Sequence, residues 1–212
     1  RSVSRGLGDV YKRQVILVIV IIAIIGLLGF LAFDYYQNYV SSKDATDFVD
    51  NFNGEVSSNG DTNSTDTNAV DNETNPLDQI QSTNTSGSSV QKTYKGFGVL
   101  GTMEIPATNF KYPVLDTVSP KSIETAVAFQ WGAGLNQPGN SVIIGHNYRN
   151  GKFFSNNKKL QNGDKIYITD LDGNRVTYTI YDKFETSETD TSFYQRDTQG
   201  KPEVTLSTCT DD

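Results

Sequence analysis

The sequence predicts an all-β domain over residues 94–212, preceded by a membrane-spanning helix and an acidic linker. Two observations support the β assignment. Short runs rich in Val, Ile, Thr and Tyr recur through this part of the chain and are separated by Gly, Asn and Pro. A helical pattern is plausible only over residues 121–129, KSIETAVAF. Short antiparallel strands over about 120 residues favour a closed barrel or a sandwich.

Residues 1–14 are interpreted as a non-native or cytoplasmic N-terminal segment. The chain does not begin with Met, so we expect the true start to be missing. The stretch SRGLGDVYKRQ resembles the translated sequencing adapter found at the ends of some assembled genes. This segment therefore carries no weight in the fold prediction.

Residues 15–33, VILVIVIIAIIGLLGFLAF, are 19 consecutive residues without a charge. As a helix they span roughly 28 Å, about the hydrocarbon thickness of a bilayer. A cleaved signal peptide is the alternative, but its apolar region is usually about 7–15 residues long. Basic residues precede the run and Asp34 follows it. The positive-inside rule therefore predicts a single-pass membrane protein with a cytoplasmic N-terminus and an extracellular domain.

Residues 34–93 are predicted to form an acidic, disordered linker. Asn, Ser, Thr, Asp and Gly dominate it, and ten acidic residues stand against two lysines. Such a composition buries too little apolar surface to offset the chain entropy. A calcium-binding tract is the alternative, but the carboxylates lack the ordered spacing of a calcium loop. Residues 94–212 carry 12 basic and 14 acidic side chains, and no nucleic-acid partner is predicted.

Six strands are predicted in the folded domain, together with a turn near residues 153–160. Between two alternating runs, LDGNR (171–175) predicts a hairpin with its turn at Asp172-Gly173. The predicted strands cover residues 98–106, 110–115, 140–147, 164–170, 175–185 and 203–209.

The single cysteine, Cys209, ends the last predicted strand, EVTLSTC. Val204 and Leu206 occupy one face of that strand, whereas Cys209 shares the other face with Thr205 and Ser207. A free cysteine is usually a small buried hydrophobe, and this alternation argues against that alternative. Because disulfides are permitted outside the cell, a lone cysteine there is either a free thiol or an intermolecular partner.

The single histidine, His146, also ends a predicted strand, SVII, and follows Gly145. A surface histidine without a role is the alternative. However, a thiolate is a competent nucleophile, and a neighbouring imidazolium favours the thiolate and can protonate a leaving amine. One Cys and one His, each at a strand end of an extracellular domain, therefore suggest Cys–His acyl transfer.

Several longer stretches resemble one family in combination. TLSTC closes a strand, and GH closes an earlier strand 63 residues upstream. GTMEIPATNFKYPVL, QPGNSVIIGHN and LQNGDKIYITDLDGNRVTYTIYDKFE resemble the opening strand, the approach to the histidine and the following hairpin of the sortases, the cysteine transpeptidases of Gram-positive bacteria. The resemblance covers about residues 96–210, and an anchor followed by a polar linker is usual in this family.

The resemblance implies an eight-stranded closed β-barrel with one or two short helices. It implies that Cys209 attacks the Thr–Gly carbonyl of an LPxTG-like sorting signal on a secreted protein, with His146 as general acid/base. The acyl group would pass to an amine of a cell-wall precursor or of a surface protein. The family's third catalytic residue is an arginine that follows the cysteine. It has no counterpart up to Asp212, so we expect the last strand and this arginine to lie beyond a C-terminal truncation.

The resemblance is nearer to class A or class D than to class B, whose members carry a long helical insertion before the cysteine strand. Residues 186–202, from Thr186 to Pro202, take the place of the substrate-recognition loop; a plain polar connection is the alternative. No cofactor or metal is predicted, although calcium serves some members and Glu104 or Glu188 could contribute. The alternative functions are an inactive binding module of the same fold and a cysteine hydrolase.

Overall fold

The computed structural model describes residues 7–59 and 92–210, in two compact units, Arg1–Asp44 and Ala45–Asp212. The helix α1, Leu7–Asn59, contains the apolar run. Every large apolar side chain of that run is exposed to at least 40% of its area. Among the described residues, α1 is the one helix whose length and composition would let it cross a bilayer.

The predicted linker differs from the structure over residues 34–59, which are helical. Ala45, Val49, Phe52 and Val56 recur at helical spacing and are all buried. This apolar stripe packs against the core of the second unit, where Phe48 also meets the Tyr94 ring at 5.0 Å. Composition alone missed the stripe because acidic and polar residues cover the rest of the helix surface. Residues 60–91 of the predicted linker lie outside the described residues.

The second unit is an eight-stranded, barrel-like sheet. The strands are β1 (Thr93–Tyr94), β2 (Phe97–Ile105), β3 (Phe110–Leu115), β4 (Val127–Trp131), β5 (Gly139–Ile144), β6 (Lys165–Asp170), β7 (Arg175–Thr179) and β8 (Pro202–Ser207). Along the sheet the order is β7-β6-β2-β3-β4-β5-β8, with β1 paired to β2. Two pairs, β3 with β4 and β5 with β8, are parallel, and the others are antiparallel.

All six predicted strands are present, but the one predicted over residues 175–185 ends at Thr179 and the one predicted over residues 140–147 ends at Ile144. The strands β1 and β4 were not predicted. The helix predicted over residues 121–129 is wrong in its second half. The observed helix α2 spans only Pro120–Ile123, and β4 begins at Val127. Val127 and Ala128 are fully buried between β3 and β5, so sheet pairing overrides their local preference.

Short helical and turn elements connect the strands. The helix α2 begins with a capping box in which Ser119 and Ser122 bond reciprocally. Two 3-10 helices, Pro106–Thr108 and Phe154–Lys159, precede β3 and β6, and the second matches the turn predicted near residues 153–160.

The hairpin between β6 and β7 turns where the sequence predicts it. Gly173 has a φ of +85°, a conformation that glycine adopts without strain. The Asp170 carboxylate accepts hydrogen bonds from the backbone N–H groups of Asp172 and Asn174, at 3.1 and 2.9 Å. The carbonyl of Asp170 accepts a third from Gly173. The turn is therefore fixed by one buried aspartate.

Candidate active site

The parallel pair of β5 and β8 positions the two residues of interest. Ile143 lies opposite Leu206 and Ile144 lies opposite Ser207 in the register of this pair. Partners are 63 residues apart along the whole pair, and the same separation relates Gly145 to Thr208 in a hydrogen bond beyond the strands. It also relates His146 to Cys209. Continued two residues past its last pair, the register therefore matches Cys209 to His146, just beyond the carboxyl ends of the two neighbouring strands.

Three hydrogen bonds hold the two strands together beyond their last paired residues. The backbone N–H of Gly145 donates to the carbonyl of Ser207 at 3.2 Å. The Thr208 hydroxyl donates to the carbonyl of Gly145 at 2.7 Å. The side-chain amide of Asn147 donates to the carbonyl of Cys209 at 3.2 Å. His146 is thus flanked on both sides by residues bonded to the cysteine segment.

Gly145, directly before the histidine, is required by close packing. A Cβ placed on this residue would lie 2.7 Å from Cγ1 of Val127 and 2.9 Å from Cδ2 of Phe154. Both distances are shorter than real Cβ contacts allow, so a larger residue would push the histidine segment away from β4. The glycine sets the path by which the chain leaves β5.

His146 is half-buried, and its backbone carbonyl accepts a hydrogen bond from the N–H of Phe154 at 3.1 Å. Its imidazole stacks on the ring of Tyr148, with centroids 4.7 Å apart and planes 27° apart. The histidine is therefore held by the loop that follows it as well as by β5.

Cys209 is an exposed free cysteine, two residues past the end of β8. Val204 and Leu206 pack against the core, whereas Thr205 bonds to Asn140 with its hydroxyl at 2.9 Å. The predicted two-faced strand is confirmed for β8. An exposed thiol opposite a half-buried imidazole can act as a nucleophile with a general acid/base beside it.

The connection from β7 to β8 contains residues 186–202 and reaches the opposite end of the β5–β8 pair. Asn140, at the start of β5, is buried and donates from its side-chain amide to the carbonyls of Phe193 and Tyr194, at 2.9 and 3.4 Å. Tyr194 and Arg196 then line a shallow surface depression together with Trp131. The loop is attached to the barrel at this end, about 20 Å along the strands from Cys209 at roughly 3.3 Å per residue.

Two of the arginines before the cysteine are already engaged with carboxylates. Arg175 donates to Glu104 at 2.8 Å, and Arg196 donates to Glu203 at 3.2 Å. The arginine expected after Asp212 stays a prediction. Glu104 also accepts from the Asn53 amide at 2.9 Å, so two donors already occupy the same carboxylate oxygen. Among residues 7–59 and 92–210, no group of three or more His, Cys, Asp or Glu side chains could hold a metal.

Sequence reasoning missed three residues that support the pair. Thr208 and Asn147 are adjacent to Cys209 and His146 in sequence, but their hydrogen bonds depend on the exact register of two strands that are distant in the chain. Tyr148 meets the imidazole only because its loop folds back. In the sequence, the only indication of a role for these three residues is that each lies within two residues of Cys209 or His146.

The fold and this site define an all-β domain with a cysteine–histidine pair at adjoining strand ends. A sortase-domain family model matches residues 103–212, which is more than half of the chain. The protein belongs to the sortase family, and its resemblance to that family in the sequence is confirmed.

One curated relative and two solved structures are similar to part of this chain. Sortase A of Bacillus anthracis is 31% identical over 119 residues, covering 52% of this chain and 52% of that protein. The chain therefore spans about half the length of this curated relative. Among solved structures, Listeria monocytogenes sortase A has 26% identity and a TM-score of 0.47, covering 54% of this chain and 77% of that one. A Clostridium perfringens sortase D5 transpeptidase has 25% identity and a TM-score of 0.48, covering 54% and 71%.

Proposed function

We propose that this protein is a membrane-anchored cysteine transpeptidase. The observation that supports the proposal is the register of β5 and β8, whose continuation past the strand ends matches Cys209 to His146, in a member of the sortase family. Both residues lie at the solvent-facing end of the strand pair, where a peptide can reach the thiol.

The proposed reaction has two acyl transfers. The Cys209 thiolate attacks the carbonyl of a Thr–Gly bond, and the His146 imidazolium gives its proton to the departing glycine amine. The product is a thioester between the threonine carbonyl and Cys209. An acceptor amine then attacks this thioester, imidazole takes the amine proton, and the thiolate leaves. The enzyme returns to its starting protonation state, so the cycle balances without an oxidant or a cofactor.

The family also supports a class of substrate and of partner. The substrate is proposed to be a secreted protein with an LPxTG-like C-terminal sorting signal, and the acceptor an amine of a cell-wall precursor or a surface protein. A class A or D member is favoured over class B because the connection between β7 and β8, described throughout, contains no helix.

A fluorogenic LPxTG peptide tests the proposal directly. The full-length protein, purified in detergent, should cleave the peptide in the presence of EDTA, and an added glycine peptide should appear joined to the threonine. Cys209→Ala should remove both activities, because the chain has no other thiol. Cleavage without joining at any amine concentration would indicate a hydrolase. Binding of the peptide without cleavage would indicate a binding module, and either result would contradict transpeptidation.

We also propose that residues 15–33 anchor the chain with its N-terminus in the cytoplasm. The exposed apolar surface of α1 supports an anchor, and the basic residues Lys12 and Arg13 before the run support this orientation. Cys209 is the only thiol, so a membrane-impermeant maleimide can report its side of the membrane. Intact protoplasts should be labelled as fully as lysed ones. Labelling of Cys209 only after lysis would show that the domain lies on the cytoplasmic side, contrary to the proposed topology.

A further inference from the structure

A chain of aromatic rings connects the half-buried imidazole of His146 to the core. Tyr148 stacks on the imidazole at 4.7 Å and meets the ring of Phe153 at 5.8 Å. Phe153 is buried and meets Tyr112 at 5.2 Å, and Tyr112 meets Phe110 at 5.0 Å. Tyr148 is the member of this chain that touches the histidine, and 41% of its own surface remains exposed.

The loop that carries Tyr148 is fixed by backbone bonds. The N–H of Tyr148 donates to the hydroxyl of Ser155 at 3.1 Å, and that hydroxyl donates to the carbonyl of Lys152 at 2.6 Å. Asn147 pairs with Phe153 in an isolated antiparallel bridge. Phe153 itself has a φ of +49°, which is rare for a bulky residue. The loop therefore turns back sharply and delivers the tyrosine ring onto the imidazole.

A stacked ring restricts the orientation of an imidazole. It confines the plane of the histidine ring, because rotation about its side-chain torsions would break the contact. The stack therefore favours one orientation of the His146 ring at the end of β5.

The phenol itself does not compete as a base. Partial burial raises the pKa of Tyr148 above its ordinary value of 10.0, and the carboxylate of Glu124 raises it further. The hydroxyl therefore remains protonated near neutral pH. Any contribution of this residue to the site comes from its ring.

We propose that Tyr148 is a positioning residue that holds the His146 imidazole in the orientation needed for proton transfer at Cys209. This inference rests on the proposed transpeptidase function. It assigns the loop of residues 147–155 a role in the geometry of the pair, and it accounts for a large exposed aromatic next to a half-buried histidine.

The test uses the single histidine as a probe. In the full chain, carried in detergent micelles and labelled with ¹³C-histidine, one imidazole C–H resonance pair reports His146. The ring current of Tyr148 should shift these resonances upfield. Tyr148→Leu should move them downfield, toward the position of an imidazole without a stacked ring, whereas Tyr148→Phe should leave them near the wild-type position. Unchanged resonances in Tyr148→Leu would overturn the proposal.

Kinetics provide the second measurement. Misplacement of a proton-transfer group by less than 1 Å lowers kcat by about 10- to 100-fold. We expect a loss of that size in Tyr148→Leu with KM changed less than about twofold, and recovery in Tyr148→Phe. Normal kcat in a Tyr148→Leu protein whose resonances have moved would also overturn the proposal, because the stack would then have no role in the reaction.

Two further variants separate positioning from general effects on the fold. Tyr167→Leu removes another ring, which lies under the Arg175 guanidinium at 4.8 Å, and should change neither the resonance nor kcat. Tyr148→Gln replaces Tyr148→Leu if the leucine variant unfolds, since a polar side chain suits an exposed position. The resonance test needs no turnover. Failure of the wild type to cleave the peptide would therefore refute the proposed function while the stack is still decided by the spectrum.

Discussion

The two ends of the β5–β8 pair differ in how their polar groups are held. At the amino end, Asn140 is buried to 95% and its side chain bonds to two loop carbonyls and to the Thr205 hydroxyl. At the carboxyl end, the exposed Cys209 accepts one bond from the Asn147 amide at its carbonyl. The same two strands thus lead to a buried, hydrogen-bonded asparagine at one end and to an exposed free cysteine at the other.

This difference has an energetic consequence. Leaving a buried polar group without its partner costs about 1–3 kcal/mol, whereas a typical exposed hydrogen bond contributes about 0.5–1.5 kcal/mol. We therefore expect changes at the amino end to appear mainly in stability, and changes at the carboxyl end mainly in turnover.

The largest effect is expected from His146→Ala. The carboxyl end would lose its positioned acid/base, and turnover of the sorting peptide should fall by roughly 10²- to 10⁴-fold. The midpoint of thermal unfolding should change little, because His146 is only half-buried and its hydrogen bond to Phe154 is made by the backbone carbonyl, which alanine keeps. Peptide-cleavage rates and a thermal melt measure the two quantities.

The thiol provides the control for this variant. Cys209 should still be alkylated by iodoacetamide in His146→Ala, since the register of β5 and β8 does not depend on the imidazole. Near-normal turnover in the alanine variant would remove the histidine from the mechanism. A large loss of stability would instead show that the carboxyl end also supports the fold.

An intermediate effect is expected from Asn140→Ala. This change removes the bonds to Phe193, Tyr194 and Thr205 and leaves these partly buried polar groups without that partner. The free energy of unfolding should fall by about 1–3 kcal/mol. Urea denaturation of the purified protein gives this value.

Asn147→Ala is the matched change at the opposite end. It deletes the bond to the Cys209 carbonyl at a site that is only half-buried, so it should cost no more than about 1 kcal/mol of stability. Its turnover should fall more than that of Asn140→Ala. The reverse ranking of the two variants in stability would show that burial does not govern the difference between the two ends.

Much of the strand arrangement could be predicted from the sequence, because the patterns that indicate strands and turns lie within short stretches of chain. Alternation along EVTLSTC was enough to assign Val204 and Leu206 to the core and Cys209 to the other face. The hairpin at Asp172-Gly173 followed from turn chemistry within five residues. The resemblance to family motifs then predicted His146 and Cys209 as partners, and this stays a prediction.

The parts that could not be predicted depend on contacts between distant segments. The strand β4 forms because Val127 and Ala128 fit between two other strands, which no local pattern indicates. Residues 45–56 form a docked helix because their apolar stripe meets the barrel, although their composition is typical of a linker. The stack of Tyr148 on His146 requires a loop with positive φ at Phe153, and a single sequence gives no sign of it.

The smallest effect concerns the loop that is attached at the amino end. The carboxylate of Asp190 accepts hydrogen bonds from the Thr186 hydroxyl and from Ser192, and these lower its pKa from 3.8 to about 2. A folded-state pKa below the unfolded value means that ionised Asp190 stabilises the loop above pH 3.8. This contribution is lost as the pH falls from 3.8 toward 2.

The only tryptophan, Trp131 at the end of β4, can report this transition. Its ring centroid lies 6.0 Å from that of Tyr194, which belongs to the same loop as Asp190. Between pH 4 and pH 2, Trp131 fluorescence of the wild type should show a reversible step that is absent from Asp190→Ala. Asp197→Ala is the matched control, since Asp197 accepts one backbone bond from Gln199 in this loop and should leave the step in place. As the pH is lowered, this step should occur before the His146 resonances at the carboxyl end lose their folded-state positions. Identical acid profiles for the wild type and Asp190→Ala would mean that this aspartate does not order the loop.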